Sequence, residues 1–370
     1  MHKRKLGQIE EEVSLLGIGG FHLVEISSQH VAKILNRYLD EGGNYIETAL
    51  MYGEGESEIK VGKAIKNRRK ECLLTSKCHL RGKEEAKKIL EESLNRLQTD
   101  HLDFWFMHVV NTDEDWAKVN SVEGTLRAAE EARKEGKIKY VGISGHCPEV
   151  LVRAIKEYPF DAVMTVVNYY DRFNFPMIED ELIPLGQNRG TAIVAMKVLA
   201  DGFLWRSVEK AFRYTLSLPV STLVAGINTM EMLEKDLQII NSFSPMSEEE
   251  KEILFRDAPE LGSYVCRLCG KCLPCPEGIE IVEVFKLEGY YDRQMFTGRV
   301  ESTPDYALRE RFRFWLGNED LARERYKKLK VKATACTACG ECEPRCPYDI
   351  PIMRKLRVAD YKLGGETKIL

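Results

Sequence analysis

The chain has 370 residues, of which 44% are apolar and 30% are charged, and its formal net charge at pH 7 is -4. This length suits a barrel-sized domain followed by a smaller one, and the nearly balanced charge provides no basic field for binding nucleic acid. No apolar run approaches the length of a membrane span, and the charged residues 1–13 are not expected to be a signal peptide. We therefore expect a cytoplasmic globular protein that binds neither nucleic acid nor a membrane.

Short apolar runs alternate with helix-period stretches from residue 13 to about residue 241. Eight of these runs are strand candidates, in chain order Val13–Ile18, Tyr45–Thr48, Cys72–Ser76, Leu102–Met107, Lys139–Ile143, Ala162–Val167, Ala192–Ala195 and Thr222–Ala225. Eight strand–helix units in about 230 residues predict α/β architecture, a closed parallel (β/α)8 TIM barrel. The alternative is an open doubly wound sheet, but the first strand is not followed by the Gly-x-Gly-x-x-Gly turn of dinucleotide-binding sheets.

The pattern changes near Ser244. Ser247 and Glu250 form a capping box, which predicts that a helix begins there. We therefore expect a barrel domain at residues 1–243 and a linker helix at residues 244–265.

Eight of the eleven cysteines lie in two short runs near the C-terminus. The runs read Cys266-x-x-Cys269-x-x-Cys272-x-x-Cys275-Pro276 and Cys336-x-x-Cys339-x-x-Cys342-x-x-x-Cys346-Pro347. The second run has the spacing of bacterial ferredoxins, and the first is one residue shorter in its last gap. Such closely spaced thiolates predict two 4Fe–4S clusters. Structural zinc sites are the alternative, but they usually separate two cysteine pairs by a longer stretch.

In two-cluster ferredoxins, the fourth cysteine of each run ligates the cluster of the other run. On that scheme the first cluster is held by Cys266, Cys269, Cys272 and Cys346, and the second cluster by Cys336, Cys339, Cys342 and Cys275. Residues 266–370 are thus expected to form a mostly α-helical ferredoxin-like iron–sulfur domain with a helical insertion at residues 277–335. The insertion contains aromatic residues that we expect to form a core: Phe285, Tyr290, Tyr291, Phe312, Phe314, Trp315 and Tyr326.

Reactive side chains follow the second, third and fourth predicted strands. Glu47 ends the second strand and Tyr52 lies in the loop after it, Lys77 follows the third strand, and His108 follows the fourth. Because the active sites of parallel barrels lie at the carboxyl ends of the strands, these four are candidate catalytic residues. Five further side chains are expected at the same rim: His22, Cys78, His79, His146 and Cys147. We expect them to be ordinary loop residues, and a metal site, for which they lack a ligand spacing, is the alternative.

Three segments of the chain carry a resemblance to the aldo/keto reductase family. Gly43–Ala49, followed by Met51-Tyr52-Gly53, is similar to the second-strand signature of that family, Leu102–His108 resembles its fourth strand, and Gly136–Ser144 resembles its fifth. With the cysteine runs behind these segments, the chain resembles the branch of the family that carries a C-terminal ferredoxin-like domain.

The resemblance implies a catalytic tetrad of Glu47, Tyr52, Lys77 and His108. The chemistry agrees, because reduction of a carbonyl by hydride needs a proton donor at the developing alkoxide. Tyr52 is expected to be that acid, with Lys77 lowering the pKa of its hydroxyl. Glu47 would orient Lys77, and His108 would orient the carbonyl. The family has aspartate where this chain has Glu47, which keeps the charge and adds one methylene.

The resemblance also implies a nicotinamide dinucleotide across the ends of the later strands. The matching positions are Ser144 and Asn168 for the carboxamide, Met196 and Lys197 for the pyrophosphate loop, and Gly226, Asn228 and Lys235 near the adenosine. Met232 stands where relatives that prefer NADP have an arginine, and it cannot hold a 2′-phosphate as arginine does, whereas Lys235 offers a point charge. The choice between NADP and NAD stays open, and flavin is a further alternative.

These features predict an NAD(P)H-dependent oxidoreductase of the aldo/keto reductase type that acts on a small carbonyl or alcohol. Its two 4Fe–4S clusters are expected to pass electrons to or from a ferredoxin-like partner. Two alternatives stay open: an enzyme whose clusters are structural or redox-sensing, and a catalytically silent barrel that senses redox state. The substrate has no recognisable motif, because specificity in barrels lies in the loops.

Overall fold

A computed structural model of the protein describes residues 1–293, 298–299, 310–311 and 319–364. These residues form two compact units. The first unit contains Met1–Asn168 and Met177–Pro245, and the second contains Tyr169–Pro176 together with the described residues from 246 onward. In these ranges no helix is both long enough and apolar enough to cross a membrane.

The first unit begins with an antiparallel hairpin that the apolar pattern did not predict, β1 (Lys3–Leu6) and β2 (Ile9–Ser14). The predicted first strand, Val13–Ile18, is therefore wrong in its bounds. Val13 belongs to β2, and the first barrel strand begins only at Leu16. The error has a simple cause, since the end of the hairpin and the start of the barrel are both buried and read as one apolar run.

Eight parallel strands form a closed barrel, as predicted. They are β3 (Leu16–Gly19), β4 (Tyr45–Glu47), β5 (Leu73–Cys78), β6 (Leu102–Met107), β7 (Ile138–Ser144), β8 (Ala162–Val166), β9 (Ala192–Met196) and β10 (Thr222–Gly226). β10 pairs with both β9 and β3, which closes the ring. Nearly every strand residue is buried, which explains why these strands read as continuous apolar runs.

Helices follow the strands and pack their apolar faces inward. They are α1 (Ser28–Asp40), α2 (Glu56–Ile65), α3 (Lys83–Leu97), α4 (Asp113–Val119), α5 (Thr125–Lys134), α6 (Pro148–Glu157), α7 (Ile183–Arg189), α8 (Val208–Ser217) and α9 (Met230–Asn241). In α1, for example, Val31, Ile34 and Leu35 recur at helical spacing and are buried. The side chain of Ser27 caps the amino end of α1 by accepting a hydrogen bond from the His30 amide.

The hairpin closes the amino-terminal end of the barrel. Leu6 and Val13 belong to the same buried cluster as Tyr45 and Leu73, the first residues of β4 and β5. The Arg4 guanidinium also donates to the Leu216 carbonyl oxygen at 2.7 Å. The opposite end, where the strands finish, is left for the candidate site.

The second unit consists mainly of helices. They are α10 (Glu248–Asp257), α11 (Ile281–Asp292), α12 (Glu319–Lys328) and α13 (Ile352–Gly364), with a short ladder between β11 (Gly298–Arg299) and β12 (Glu310–Arg311). The predicted capping box of Ser247 and Glu250 is present at the start of α10. Within the predicted insertion, Phe285, Tyr290 and Tyr326 are buried, while Phe312, Phe314 and Trp315 lie outside the described residues.

Buried ion pairs and ring contacts hold the second unit together. Arg293 donates to both carboxylate oxygens of Asp171, at 2.5 and 3.0 Å. The rings of Phe173 and Phe255 meet edge to face with centroids 5.1 Å apart. The segment Tyr169–Pro176, which follows the end of β8 in the chain, is thus a structural part of the second unit.

Replacing Leu6 by alanine should destabilise the protein by about 3 kcal/mol, because it leaves a cavity in a closely packed core. Chemical denaturation followed by circular dichroism measures the change. Val122→Ala is the control, since Val122 is 81% exposed, and its effect should stay within about 0.5 kcal/mol. Equal effects of the two substitutions would contradict the role of the hairpin in closing the barrel.

Candidate functional site

Two of the predicted catalytic residues, Glu47 and Tyr52, contact a third, Lys77 in β5. The Lys77 side chain is 1% exposed and forms an ion pair with the Glu47 carboxylate. Its nitrogen also donates to the Thr48 carbonyl oxygen at 2.9 Å and to the Tyr52 hydroxyl at 3.0 Å. The other carboxylate oxygen of Glu47 accepts a hydrogen bond from the Gly20 amide at 3.2 Å. The additional methylene of Glu47 therefore leaves the ion pair intact.

Burial is the main influence on the pKa values of Tyr52 and Lys77. It raises the pKa of Tyr52 above the ordinary range of a phenol, which is opposite to the lowering predicted from the lysine. It also lowers the pKa of Lys77 well below its usual value. However, three acceptors around one nitrogen, one of them a carboxylate, favour the ammonium form of Lys77. Tyr52 is thus a protonated phenol beside a group that can stabilise its anion.

His108 faces Tyr52 at the same rim. The centroids of the two rings lie 6.0 Å apart, with the ring planes at 81°. Burial lowers the pKa of His108 well below its usual value, and the nearby charge of Lys77 acts in the same direction. His108 is therefore neutral, and its Nδ1 is buried with no hydrogen-bond partner among the described residues.

A strained turn directly follows His108. Val109 has a φ of 55°, a left-handed conformation that costs an L-residue about 1–2 kcal/mol. The Arg81 guanidinium donates to the carbonyl oxygens of His108 at 2.9 Å and Val109 at 2.8 Å, and Asp115 holds that guanidinium at 3.0 Å. Arg81 thus fixes the turn that aims His108. Sequence reasoning missed Arg81, because no motif marks a side chain that binds backbone carbonyls.

The residues predicted to hold a nicotinamide stand at the ends of later strands. Ser144 ends β7, and both Ser144 and Asn168 are buried. The Asn168 side-chain amide donates to the Lys197 carbonyl oxygen at 2.9 Å, so the chain after β8 is tied to the loop after β9. Met196 ends β9, and Lys197 forms an ion pair with Asp201 at 2.9 Å.

The remaining predicted residues lie at β10 and beyond it. A Cβ on Gly226 would come within 2.0 Å of Nδ1 of His22, so only glycine allows the His22 ring to pack there. The Asn228 side-chain amide donates to the Glu25 carboxylate at 2.9 Å. These contacts bring Gly226 and Asn228 against the segment after β3. Lys235 is exposed on α9.

In the second unit, one cavity gathers cysteines from both runs. Its lining includes Cys266, Cys269, Cys272 and Cys346. These are the four residues that the crossed scheme groups around the first cluster. Arg267 and Tyr348 line the same cavity, and sequence reasoning gave Arg267 no role.

The two cysteine runs share one backbone conformation. Leu268 and Ala338, each two residues after the first cysteine of a run, have φ values of 54° and 58°. Gly270 and Gly340 have φ values of 72° and 82°, a left-handed conformation that glycine adopts without steric cost. Matched positions in the two runs are therefore structurally comparable.

The two runs also contact each other. The Arg345 guanidinium donates to the Pro274 carbonyl oxygen at 3.1 Å, and the Thr337 hydroxyl donates to the Glu277 carboxylate at 3.2 Å. Cys275 lies between Pro274 and Glu277 in the chain, so it stands beside the second run. In the part of the chain that the structure describes, no three His, Cys, Asp or Glu side chains converge as ligands of a single metal ion.

Comparison with known proteins gives a family match for each unit. A model of the aldo/keto reductase family matches residues 15–252, and a model of a 4Fe-4S dicluster domain matches residues 265–351. The chain is 27% identical over 304 residues to the uncharacterized oxidoreductase YqkF of Bacillus subtilis (strain 168), covering 68% of this chain and 95% of the relative. It is 28% identical over 216 residues to probable aldo-keto reductase 1 of Glycine max, covering 54% and 60%.

Solved structures give the same result for the barrel. The holo form of the aldo-keto reductase AKR11C1 from Bacillus halodurans is similar with a TM-score of 0.60 and 28% identity, over 68% of this chain and 94% of that one. The thermostable aldo-keto reductase Tm1743, in complex with the inhibitor epalrestat, has a TM-score of 0.57 and 26% identity, over 69% and 98%.

The partly buried His22, whose Nε2 is enclosed with no hydrogen-bond partner among the described residues, should make the protein lose stability in acid. Burial, assisted by the Lys197 charge, lowers the pKa of His22 to about 4, whereas an unfolded histidine has a pKa of about 6.5. The unfolded chain therefore takes up the proton first. Stability is lost as the pH falls from about 6.5 to about 4, by ~2–3 kcal/mol from this residue.

Denaturation curves of the unaltered protein and His22→Asn at several pH values test this expectation. The variant should lose less stability across that window. His2→Asn, at an exposed residue, is the control and should follow the unaltered protein. If His22→Asn shows the same pH dependence as the unaltered protein, the pKa of His22 is not lowered in the folded protein.

Proposed function

We propose, for a chain that belongs to the aldo/keto reductase family, that the rim of the barrel reduces a small carbonyl with hydride from NADPH or NADH. The chain is an oxidoreductase of this family and carries a 4Fe-4S dicluster domain. One observation carries the proposed reaction: the Tyr52 hydroxyl lies 3.0 Å from the nitrogen of Lys77, which in turn pairs with Glu47.

The proposed proton path uses these three side chains. A bound nicotinamide supplies the hydride to the carbonyl carbon. Tyr52 gives its proton to the carbonyl oxygen, so that the product is an alcohol and Tyr52 becomes a phenolate. The Lys77 cation stabilises the phenolate, and Glu47 keeps Lys77 charged inside the barrel. A proton from water then restores the phenol, so one hydride and one proton have been added across the carbonyl.

His108 has a separate proposed role, the orientation of the carbonyl. A neutral imidazole carries a proton on only one ring nitrogen, and that nitrogen can donate to the carbonyl oxygen. Together with the Tyr52 hydroxyl it would provide two donors where negative charge develops. The two hydrogen bonds from Arg81 to the turn after His108 support this role, because they hold the imidazole in one direction.

We assign seven residues to the nicotinamide site: Ser144, Asn168, Met196, Lys197, Gly226, Asn228 and Lys235. The hydrogen bond between Asn168 and the Lys197 carbonyl supports this assignment, since it joins the proposed carboxamide and pyrophosphate positions. Lys235 is exposed on α9, the helix that follows β10, and it is the cation that we propose for a 2′-phosphate. Its point charge would favour NADP only weakly over NAD.

We assign the first cluster to Cys266, Cys269, Cys272 and Cys346, and the second cluster to Cys336, Cys339, Cys342 and Cys275. The shared cavity supports the first set, and the contacts between the runs support the second. The two loops would hold one-electron carriers. When the barrel runs in the other direction and oxidises an alcohol, the two electrons of the hydride that the nicotinamide accepts could pass one at a time to the two clusters, with release of the proton. The proposed destination is a ferredoxin-like protein, and the proposed compartment is the reducing cytosol.

Replacing Tyr52 by phenylalanine should lower kcat/KM for small aldehydes by about 100-fold or more, because the proton donor is lost. Steady-state assays with NADPH and with NADH measure the effect. Tyr140→Phe is the matched control, since it removes a hydroxyl that donates to Glu11 instead, and it should retain activity. Unchanged turnover of every aldehyde by Tyr52→Phe would contradict the proposed mechanism, whereas no turnover by the unaltered protein would favour a catalytically silent barrel.

NADPH or NADH should bleach the cluster absorbance of anaerobic, iron-loaded protein, because hydride electrons would reach the clusters. Dithionite serves as the control reductant. Clusters that dithionite reduces and neither nucleotide can reduce would contradict the electron-transfer role and favour structural or sensing clusters. Bleaching that requires added flavin would identify flavin as the intermediate carrier.

A further inference from the structure

Arg267 is a buried cation with an unusual set of partners. Its side chain is 7% exposed, and its guanidinium donates to backbone carbonyl oxygens. The bonds reach Phe255 at 3.1 Å, Leu261 at 3.2 Å and Gly262 at 2.7 Å, with a further bond to Val265. In the described part of the chain, no carboxylate pairs with Arg267. Backbone carbonyls hold the guanidinium through its Nε and one terminal nitrogen, but no carboxylate among the described residues compensates its charge.

Every other buried lysine or arginine among the described residues has a carboxylate partner. The pairs are Lys60 with Glu56, Lys77 with Glu47, Arg293 with Asp171, and Lys355 with Glu288. This pairing is the general rule, because the desolvation of an unpaired charge is costly. The exception at Arg267 therefore indicates a counterion that is not one of the described side chains.

The position of Arg267 identifies a chemically suitable counterion. Arg267 directly follows Cys266 and lines the cavity that gathers the four cysteines of the first cluster. Its guanidinium carbon lies 4.7 Å from the ring centroid of Tyr348, which lines the same cavity. An iron–sulfur cluster ligated by four thiolates carries a net negative charge, so it would compensate Arg267 at short range.

The second cysteine run does not repeat this arrangement. Thr337 occupies the position after Cys336 that Arg267 occupies after Cys266, and Glu341 occupies the position that matches Lys271. Because the backbone conformations of the two runs agree, these residues occupy equivalent positions, and the two loops differ in the charge that they carry there. The loop of the first cluster is therefore more positive than the loop of the second.

We propose that Arg267 is the countercharge of the first cluster and makes it the first of the two clusters to accept an electron. This inference rests on the proposed cluster ligation. Each electron that a cluster accepts makes it more negative, so a buried cation beside it stabilises the reduced form more than the oxidised form. Net charge and nearby hydrogen bonds are the means by which proteins set cluster potentials.

A potentiometric titration of the full-length, anaerobically reconstituted protein, followed by electron paramagnetic resonance, tests the order of reduction. Two midpoints are expected. Cys269→Ser should remove or alter the signal with the higher midpoint, and Cys339→Ser the signal with the lower midpoint. The reverse assignment would overturn the proposed order.

Charge variants then test the role of Arg267. Arg267→Met should move the higher midpoint downward and leave the lower one in place, whereas Arg267→Lys should keep most of the original value. Arg256→Met is the matched control, because Arg256 is an exposed arginine of the same unit that pairs with Asp257. An unchanged higher midpoint in Arg267→Met, with full iron content, would overturn the proposal.

A gain-of-charge variant covers the case in which Arg267→Met does not fold or load iron. Thr337→Arg places the cation in the matching position of the second run, and it should raise the lower midpoint. If it leaves that midpoint unchanged, the proposed effect of this position is wrong. Iron analysis and the resonance spectra separate this failure from failure of the ligation itself. If neither Cys269→Ser nor Cys339→Ser changed the iron content or either signal, the assigned ligands would be wrong rather than the role of Arg267.

Discussion

Ring closure between β10 and β3 is the constraint on which the candidate active site depends. Parallel strands in a closed ring bring their carboxyl ends to one rim, however far apart they lie in the chain. Pairing of β3 with β4 and of β4 with β5 makes Gly20, Glu47 and Lys77 neighbours, and closure places Gly226 and Asn228 against the segment after β3. The closed barrel also removes Lys77 from water, so the lysine must find its acceptors inside the protein. The carboxylate, carbonyl and phenol around its nitrogen are therefore required by the fold as well as suited to the chemistry.

In the second unit, too, buried cations need partners inside the protein. It is small and rich in charge, and it buries cations in ion pairs such as Arg293 with Asp171 and Lys355 with Glu288. Such pairs add little net stability, but breaking one leaves a costly unpaired charge. They therefore favour one arrangement of the helices over others. The two cysteine loops have matching backbone turns but different charges. We propose that this difference in charge sets which cluster is reduced first.

The apolar pattern predicted all eight barrel strands, because burial on both faces produces continuous apolar runs. The exchange of the fourth cysteine between runs, which two-cluster ferredoxins show, predicted which four thiols line one cavity. Three features could not be predicted from the sequence. The hairpin end and β3 form one apolar run, Arg81 is held by backbone carbonyls of the rim and by Asp115, and the pKa of Tyr52 depends on burial. Each of these depends on the three-dimensional surroundings rather than on neighbouring residues in the chain.

Because Tyr169–Pro176 belongs to the iron–sulfur unit, the two units cannot be separated by a single cut in the chain. The chain passes between the two units at 168–169, at 176–177 and at 245–246, so the iron–sulfur unit is not a simple C-terminal extension. A truncation after Pro245 would separate Asp171 from Arg293 and Phe173 from Phe255. The isolated barrel would then retain eight residues that had lost their packing partners. Transfer of the iron–sulfur unit to another barrel would therefore have to include residues 169–176 as well as the residues after Pro245.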